Sequence, residues 1–471
     1  MRLPAITHTL TSEHLTRWLF GANMVVAALL CVGLRDTLSG DHPNYIALAE
    51  GLLNGRYSSF WFEPAYLPET FRTPGYPLYL SLFIGLTGGW RAVVVVQWFL
   101  YALCIGSALR VIERLGQGPL AKNIFLVLLL PSINLPYYAA MVLPELPALT
   151  ALMLILAADP AWHKRSWLSA LAIGLLYGFL FQCRPVYLLL PFARVALGWW
   201  LERPGFAWRW HGGMLLTYAA SLLPFTLWNH AHHGVWKATP LEGGGGIFQI
   251  GYWSGLMPHH QEFRLWGNKT GDELIRFTPA EKVPAHIAAF EHEWDRIDSA
   301  CAPYLTARDS AIYREHGRSG WVWNTFSTAY TLEREKWLWR STLEQMKANP
   351  GYTLAWKAYS AVRLWVTGVQ VTAFRQASLM GKLQQLYPFL LTLGQFLLAV
   401  WLIPWAALRV PGWWRSCAPL LLVVLYGWAI YIPFAIQSRY TIPVRMALFI
   451  LLACAVVEWM RRHTRLSTST S

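Results

Sequence analysis

Hydrophobic residues fall in ten long runs, at 18–35, 91–112, 121–137, 142–158, 166–182, 186–201, 212–229, 383–408, 416–434 and 441–459. Runs of this length suit helices that cross the hydrocarbon of a bilayer. Two further apolar segments read differently. Residues 77–88 form a stretch too short to cross about 30 Å of hydrocarbon at about 1.5 Å per residue. Residues 353–374 alternate Lys357 and Arg363 with Trp356, Tyr359, Leu364 and Trp365, a pattern that suits a helix lying along a membrane surface. With both on the surface and the N-terminus inside, every short basic connection falls on one side: Arg110, Arg114 and Lys122; His163, Lys164 and Arg165; Arg203 and Arg209; Arg409 and Arg415; and Arg461, Arg462 and Arg465. Cytoplasmic loops carry that excess of positive charge, so both termini are expected in the cytoplasm.

The polar regions 36–90 and 230–382 then share the outer face. In the first, Pro43 suits an opening helical turn, and Tyr45, Ile46, Ala49, Leu52 and Leu53 make a stripe at helical spacing, predicting a short helix over 43–54. The second is too long for a simple connector. Helical periodicity with mixed charge covers 285–299 and 328–348, and Asn349-Pro350-Gly351 ends the latter. The chain therefore divides into 1–229, a seven-span module with its outer loop; 230–382, an external helical region; and 383–471, three spans and a basic tail with a Ser/Thr-rich end. No internal repeat is visible.

Composition agrees. Hydrophobic residues make up 55% and charged residues 14%, against about 25% charged in soluble domains. The net charge of +14 is accounted for by basic loops and anionic lipid, so nucleic acid is not implied, and 27 Trp fit aromatic belts at the two interfaces. Cys31, Cys104, Cys183, Cys417 and Cys454 lie in or beside apolar runs and Cys301 stands apart, with no CxxC pair, so neither a disulfide framework nor a zinc site is indicated. The first apolar run lacks a cleavage pattern and reads as a retained helix.

The candidate chemistry gathers at the outer ends of the spans. Asp41 precedes the 43–54 helix: it suits a general base for an acceptor hydroxyl, or it caps the helix. Arg72, in Arg72-Thr73-Pro74-Gly75-Tyr76-Pro77, suits a departing lipid phosphate at a low-dielectric boundary, or pairs with headgroups. Glu145, between Pro144 and Pro147, is an intramembrane acid that orients an arginine or serves a structural ion pair; the prolines suggest a rigid, non-helical approach to the span. Arg184 and Arg439 lie between spans on the same side and join Arg72 in a basic cluster, or snorkel to the interface. His230, His232 and His233 read as surface histidines, with no metal site expected. Gly243–Gly246 lacks the lysine and strand context of a phosphate loop and reads as a flexible segment or lid. Trp321, Trp323, Trp337 and Trp339 read as packing or membrane-contact residues before sugar-stacking ones.

Taken in order, Asp41 with Tyr45, Ala49 and Gly55, the Arg72–Leu80 run and Pro144-Glu145 resemble the GT-C superfamily of polyprenyl-phosphate-sugar glycosyltransferases, of the protein-mannosyltransferase and aminoarabinose-transferase type (glycosyltransferase family 39-like). Arg184-Pro185, Trp228-Asn229 to Gly234, Asn349-Pro350 and Ser438-Arg439-Tyr440 with Pro443 extend the likeness over nearly the whole chain. The resemblance implies a conserved seven-span module, two juxtamembrane helices in the first external loop, and inversion at the anomeric carbon. It implies Asp41 at the catalytic acid position and Arg72 where relatives have a basic residue before the proline pair; the topology then sets Arg72, Arg184 and Arg439 on the donor phosphate, with Tyr45, Glu145 and Tyr440 in support. Many relatives have Asp-Glu where this chain has Asp41-His42, and Pro-Pro where it has Pro74-Gly75.

The expectation is an all-α polytopic protein of a bacterial inner membrane. It would move a sugar from a polyprenyl-phosphate donor to a hydroxyl of a glycan, lipid or protein at the periplasmic face, with no cofactor. Asn268-Lys269-Thr270 also matches a lumenal glycosylation pattern. An O-antigen polymerase or ligase using a pyrophosphate-linked oligosaccharide is the alternative, and a transporter, which would place its charges near the midplane in paired repeats, is a third.

Overall fold

The computed structural model describes residues 12–34, 40–159, 161–162, 165–203, 205–256, 280–317, 325–369 and 371–468. Trp321, Trp323, His163, Lys164 and the 268–270 pattern lie outside the described residues. Among those described, the regular elements are helices throughout. In chain order the membrane part contains α1 (Glu13–Leu34), α2 (His42–Leu53), α3 (Gly75–Thr87), α4 (Arg91–Arg114), α5 (Pro119–Leu129), α6 (Asn134–Ala140), α7 (Glu145–Ala157), α8 (Trp167–Cys183), α9 (Leu190–Leu201) and α10 (Trp208–His233). The middle, more polar part contains α11 (Gly244–Trp253), α12 (Val283–Cys301), α13 (Ala307–His316), α14 (Thr328–Ala348) and α15 (Pro350–Arg363), followed by α16 (Leu379–Arg409), α17 (Ala418–Tyr431) and α18 (Ile442–Thr468).

Among the described residues, four helical stretches are long and apolar enough to cross a membrane: Glu13–Leu34, Arg91–Arg114, Leu379–Arg409 and Arg439–His463. A fifth is reached if α5 and α6 count as one broken span. The run 121–137, read from the sequence as one helix, bends by 70° between them. Pro131 lies in the break and Pro136 follows in α6, and a proline disfavours helical backbone at the residue before it. The other apolar helices, α3, α7, α8, α9 with its 3-10 lead-in, and α17, have 10–17 residues.

Helix α18 forms the axis of the bundle. Between Ile442 and Val457 it is buried on nearly every side, against α4, α5, α7, α16 and α17. A helix that is apolar all round belongs inside. By contrast α1 exposes Trp18, Leu29 and Val32, and α16 exposes Leu383, Leu390, Trp401 and Leu408; such continuous apolar flanks suit contact with lipid. Helices α8 and α10 approach at two small residues: a Cβ on Gly174 would lie 2.5 Å from the Met214 carbonyl, and one on Gly178 would strike Ser221. Close approach through small residues is how helices pack where lipid competes with apolar side chains.

Helices α11, α12 and α14 share their own core, in which Tyr252 and Trp253 of α11 meet Phe290 and Trp294 of α12 and Tyr330 and Leu338 of α14. Gly243–Gly246, read from the sequence as flexible, instead starts α11. The Glu335 carboxylate accepts from the backbone N–H of Gly243 (3.2 Å) and Gly245 (2.6 Å), satisfying donors that a helix start leaves open. The missing side chains let α14 approach closely: a Cβ on Gly245 would lie 3.0 Å from the Leu338 Cβ. Trp339 stacks on Phe248 at 4.6 Å and donates to Glu335, and Arg296 and Arg340 lie over Trp337, so both tryptophans pack within the protein. The amphipathic 353–374 run resolves into α15, which buries Trp356 and exposes Leu354, with a separate turn of helix at Val371–Gln376.

Candidate active site

Helix α2 begins where the sequence places it, with Pro43 in its first turn, and it buries Ile46, Leu48, Ala49 and Gly51. Asp41 occupies the capping position, yet its side chain makes no capping hydrogen bond; the carboxylate turns to two arginines instead. After α2 the chain doubles back so tightly that a Cβ on Gly51 would lie 2.8 Å from the Ser58 carbonyl.

The returning segment holds Arg72 by its backbone. Tyr57 donates its hydroxyl to the Arg72 carbonyl at 2.9 Å, and Glu69 Oε1 accepts from the N–H of Phe71 and Arg72 at 3.1 Å each. Thr73 donates to the Gln182 carbonyl at 2.7 Å. At Gly75, a Cβ would lie 2.5 Å from Gln182 Cβ, so the glycine in Pro74-Gly75 draws the Arg72 loop against the end of α8, two residues from Arg184. His42 is buried.

Burial pushes the Glu69 carboxyl above its ordinary value near 4.5, with the Arg72 charge and the backbone donors opposing the shift. The folded chain therefore holds this proton more tightly than the unfolded one. That contribution to stability is complete below about pH 4.5 and is lost as pH rises through the raised value. Glu69→Gln keeps an acceptor for the two N–H groups, so the difference in Tm between wild type and variant should fall as pH rises from 4 towards neutrality. Parallel Tm curves would contradict this.

All seven residues singled out in the sequence meet in one linked chain. The Arg72 guanidinium lies 5.2 Å from the Tyr45 ring centre, and its Nη2 is 3.3 Å from Asp41 Oδ1. Asp41 Oδ2 is 3.4 Å from Arg439 Nη2. Arg439 and Arg184 lie over the Tyr440 ring at 5.7 and 5.4 Å, and Arg184 Nη2 is 3.4 Å from Glu145 Oε1. Among the charged side chains exposure rises from 1% at Glu145 and 14% at Arg184 to 25% at Arg439 and 31% at Asp41, and falls again to 8% at Arg72, so Asp41 is the charged group of the cluster most open to solvent. Burial lowers the basicity of Arg72, but Tyr45, Glu69 and Asp41 outweigh it and keep the guanidinium charged.

The ion pairs at 3.3–3.4 Å are looser than the roughly 2.7–2.9 Å of a tight charge-assisted hydrogen bond. Arg184 Nε, Arg439 Nε, the Tyr431 hydroxyl and Glu145 Oε2 are buried without a hydrogen-bond partner. Unmet buried polar groups cost about 1–3 kcal/mol each, so their presence together here calls for an explanation in the use of the site. The five linked charged groups, three arginines against two carboxylates, carry one net positive charge.

No family model matches the chain, and neither a curated protein nor a solved structure matches it.

Glu145 is the first residue of α7, with Pro144 preceding it and Pro147 in the first turn; residues 141–144 before it are bends and a turn, so the approach is non-helical as expected, and the prolines fall where a helix start needs no N–H partner. A second buried pair marks the far end of the same helix: Asp159 accepts from Arg194 Nε at 2.6 Å and Nη2 at 2.7 Å. Fourteen residues at about 1.5 Å each separate it from Glu145 by about 20 Å. The histidines are engaged in packing: His230 stacks on Trp236 at 4.0 Å, and His233 bridges Thr328 and the Glu69 carbonyl. Sequence reading missed Tyr431, stacked on Tyr440 at 4.9 Å, and the supports Tyr57 and Glu69. Tyr431 carries no motif of its own; Glu69, three residues before Arg72, was the only local signal.

Proposed function

We propose that this chain is an inverting glycosyltransferase of the GT-C type, with about ten spans in a bacterial inner membrane and its site at the periplasmic face. The donor is a sugar on a polyprenyl phosphate, and the acceptor a hydroxyl of a glycan, lipid or protein. The observation that carries this reading is the Asp41 carboxylate held between Arg72 and Arg439, with Arg184 joined through Tyr440, among apolar helices. A base for the acceptor hydroxyl and cations for the leaving phosphate, within one sugar's reach of each other, are what glycosyl transfer from a phosphate requires.

In this reading the acceptor oxygen attacks the anomeric carbon from the face opposite the phosphate. The bond from that carbon to the phosphate oxygen breaks, its electron pair stays on the phosphate, and Asp41 takes the acceptor proton. The phosphodiester donor carries one negative charge and the released monoester up to two, so the arginines bind the leaving group more tightly than the donor. Such differential binding accelerates the chemical step. An incoming phosphate also competes with Asp41 for Arg72 and Arg439, and so frees the carboxylate to act as base.

The test is to incubate the purified full chain with polyprenyl-monophosphate and polyprenyl-pyrophosphate sugars, a crude envelope fraction as acceptor, and mass-spectrometric readout of the released lipid. Release of polyprenyl monophosphate with a new inverted glycosidic linkage is expected. Turnover of the pyrophosphate donor alone would support the polymerase or ligase class, and accumulation of unmodified sugar lipid across a vesicle membrane would support transport.

A further inference from the structure

Two arginines on different loops have to hold one phosphate, and their separation needs a cause. Arg72 precedes α3, whereas Arg439 precedes α18, more than 360 residues later. Helix α11, the one headed by the glycine run, touches the chain beside both.

Toward Arg72, the Leu241 N–H donates to the Thr70 carbonyl at 2.9 Å and the Thr70 hydroxyl donates to Glu242. Arg334 of α14 pairs with the other oxygen of Glu242 and lies over the Phe326 and Tyr330 rings. Thr70, Glu242 and Arg334 are all buried. Phe71 packs on Gly243, where a Cβ would lie 2.9 Å from the ring, and the Arg72 guanidinium sits 5.1 Å over that same ring. Toward Arg439, the Ala435 N–H donates to the Ile247 carbonyl at 3.0 Å. Lys357 Nζ donates to the carbonyls of both Gly251 and Pro433, at 2.7 Å each. A Cβ on Gly251 would stand 2.7 Å from the Phe434 carbonyl oxygen.

We propose that α11, clamped by Arg334–Glu242 at its start and by Lys357 at its end, is a spacer that sets the gap between Arg72 and Arg439, and that Arg334, Glu242 and Gly251 are positioning residues for the donor phosphate. The inference rests on the reading of that gap as the phosphate site. Glycine is required at 251 because the 433–435 segment runs against it, and the buried Arg334–Glu242 pair is specific because its third member, Thr70, lies two residues from Arg72. A displacement of about 1 Å in a site of this kind can cost about 100-fold.

The probe is unsugared polyprenyl monophosphate, titrated onto the full chain in detergent, together with steady-state transfer kinetics. Glu242→Gln, Arg334→Met and Gly251→Ala are each expected to weaken phosphate binding and to lower kcat/KM by about 10- to 100-fold, with kcat falling as well as the donor KM rising, because the arginines hold the phosphate more tightly as it leaves. Arg334→Lys should restore part of the loss. The decisive measurement is a double-mutant cycle: a residue that acts through Arg72 adds little once Arg72 is already Ala, whereas independent effects add. Unchanged affinity in Glu242→Gln and Gly251→Ala, or full additivity of Arg334→Met with Arg72→Ala, would overturn the proposal. If Arg334→Met does not fold, the isosteric Glu242→Gln and the distant Gly251→Ala carry the test. If Arg72→Ala alone leaves binding unchanged, the phosphate reading itself falls; if it weakens binding and the α11 variants do not, only the spacer falls.

Discussion

Asp41→Asn should abolish nearly all sugar transfer, a fall of about 1,000-fold in kcat, while polyprenyl monophosphate binds at least as tightly as before. The two halves of that expectation come from the same geometry. In the proposed reaction, removing the carboxylate charge removes the proton acceptor, but it also removes the anion that pairs with Arg72 and Arg439, at 3.3 and 3.4 Å, ahead of the phosphate. A base whose loss improves binding of the leaving group is distinguishable from a residue that merely holds the fold, whose loss would weaken both. Because the Asp41 side chain makes no capping hydrogen bond and keeps 31% of its side chain exposed, unfolding temperature should change little. Retained transfer in Asp41→Asn, with an intact fold, would remove Asp41 from the mechanism.

The arginines should divide into two kinds. Arg439→Ala is expected to lower kcat/KM by about 100- to 1,000-fold with a modest change in Tm, since the carboxylate it leaves behind, Asp41, is partly open to water and keeps Arg72. Arg184→Ala should act mainly on the fold. Its partner Glu145 is 1% exposed, and a buried carboxylate stripped of its cation costs about 3–5 kcal/mol. Transfer assays run beside thermal unfolding of both variants separate the cases. Equal loss of stability in the two would show that Arg439 is as structural as Arg184. Lysine in place of Arg439 should rescue poorly, because an ammonium lacks the planar fork that spans Asp41 and the phosphate.

The linear chain displayed a good part of this arrangement. Local signals are short-ranged and survive without tertiary context: Pro43 and the apolar stripe located α2, the length of 77–88 marked a short helix, and α12, α14 and α15 follow the periodicities at 285–299, 328–348 and 353–374. The residues of the cluster stood out because charge beside an apolar run is rare enough to be noticed one residue at a time. The break between α5 and α6 was also written locally, in Pro131, but an apolar window averages over it.

Other features depended on distant partners. The glycine run at 243–246 looks flexible in isolation, and only Glu335 and Trp339, some 90 residues on, make it a helix start. Asp41 had a local explanation as a cap that its pairing with Arg72 and Arg439 displaced. The amino-acid order alone determined that the chain is helical, rich in apolar segments and charged at their ends, because hydrophobic periodicity is a property of neighbours along the chain. Which charges face one another, and that Gly75 and Gly251 must lack a side chain, was decided by the packing of segments from 31 to 398 residues apart, where space and electrostatics replace sequence distance as the governing variables.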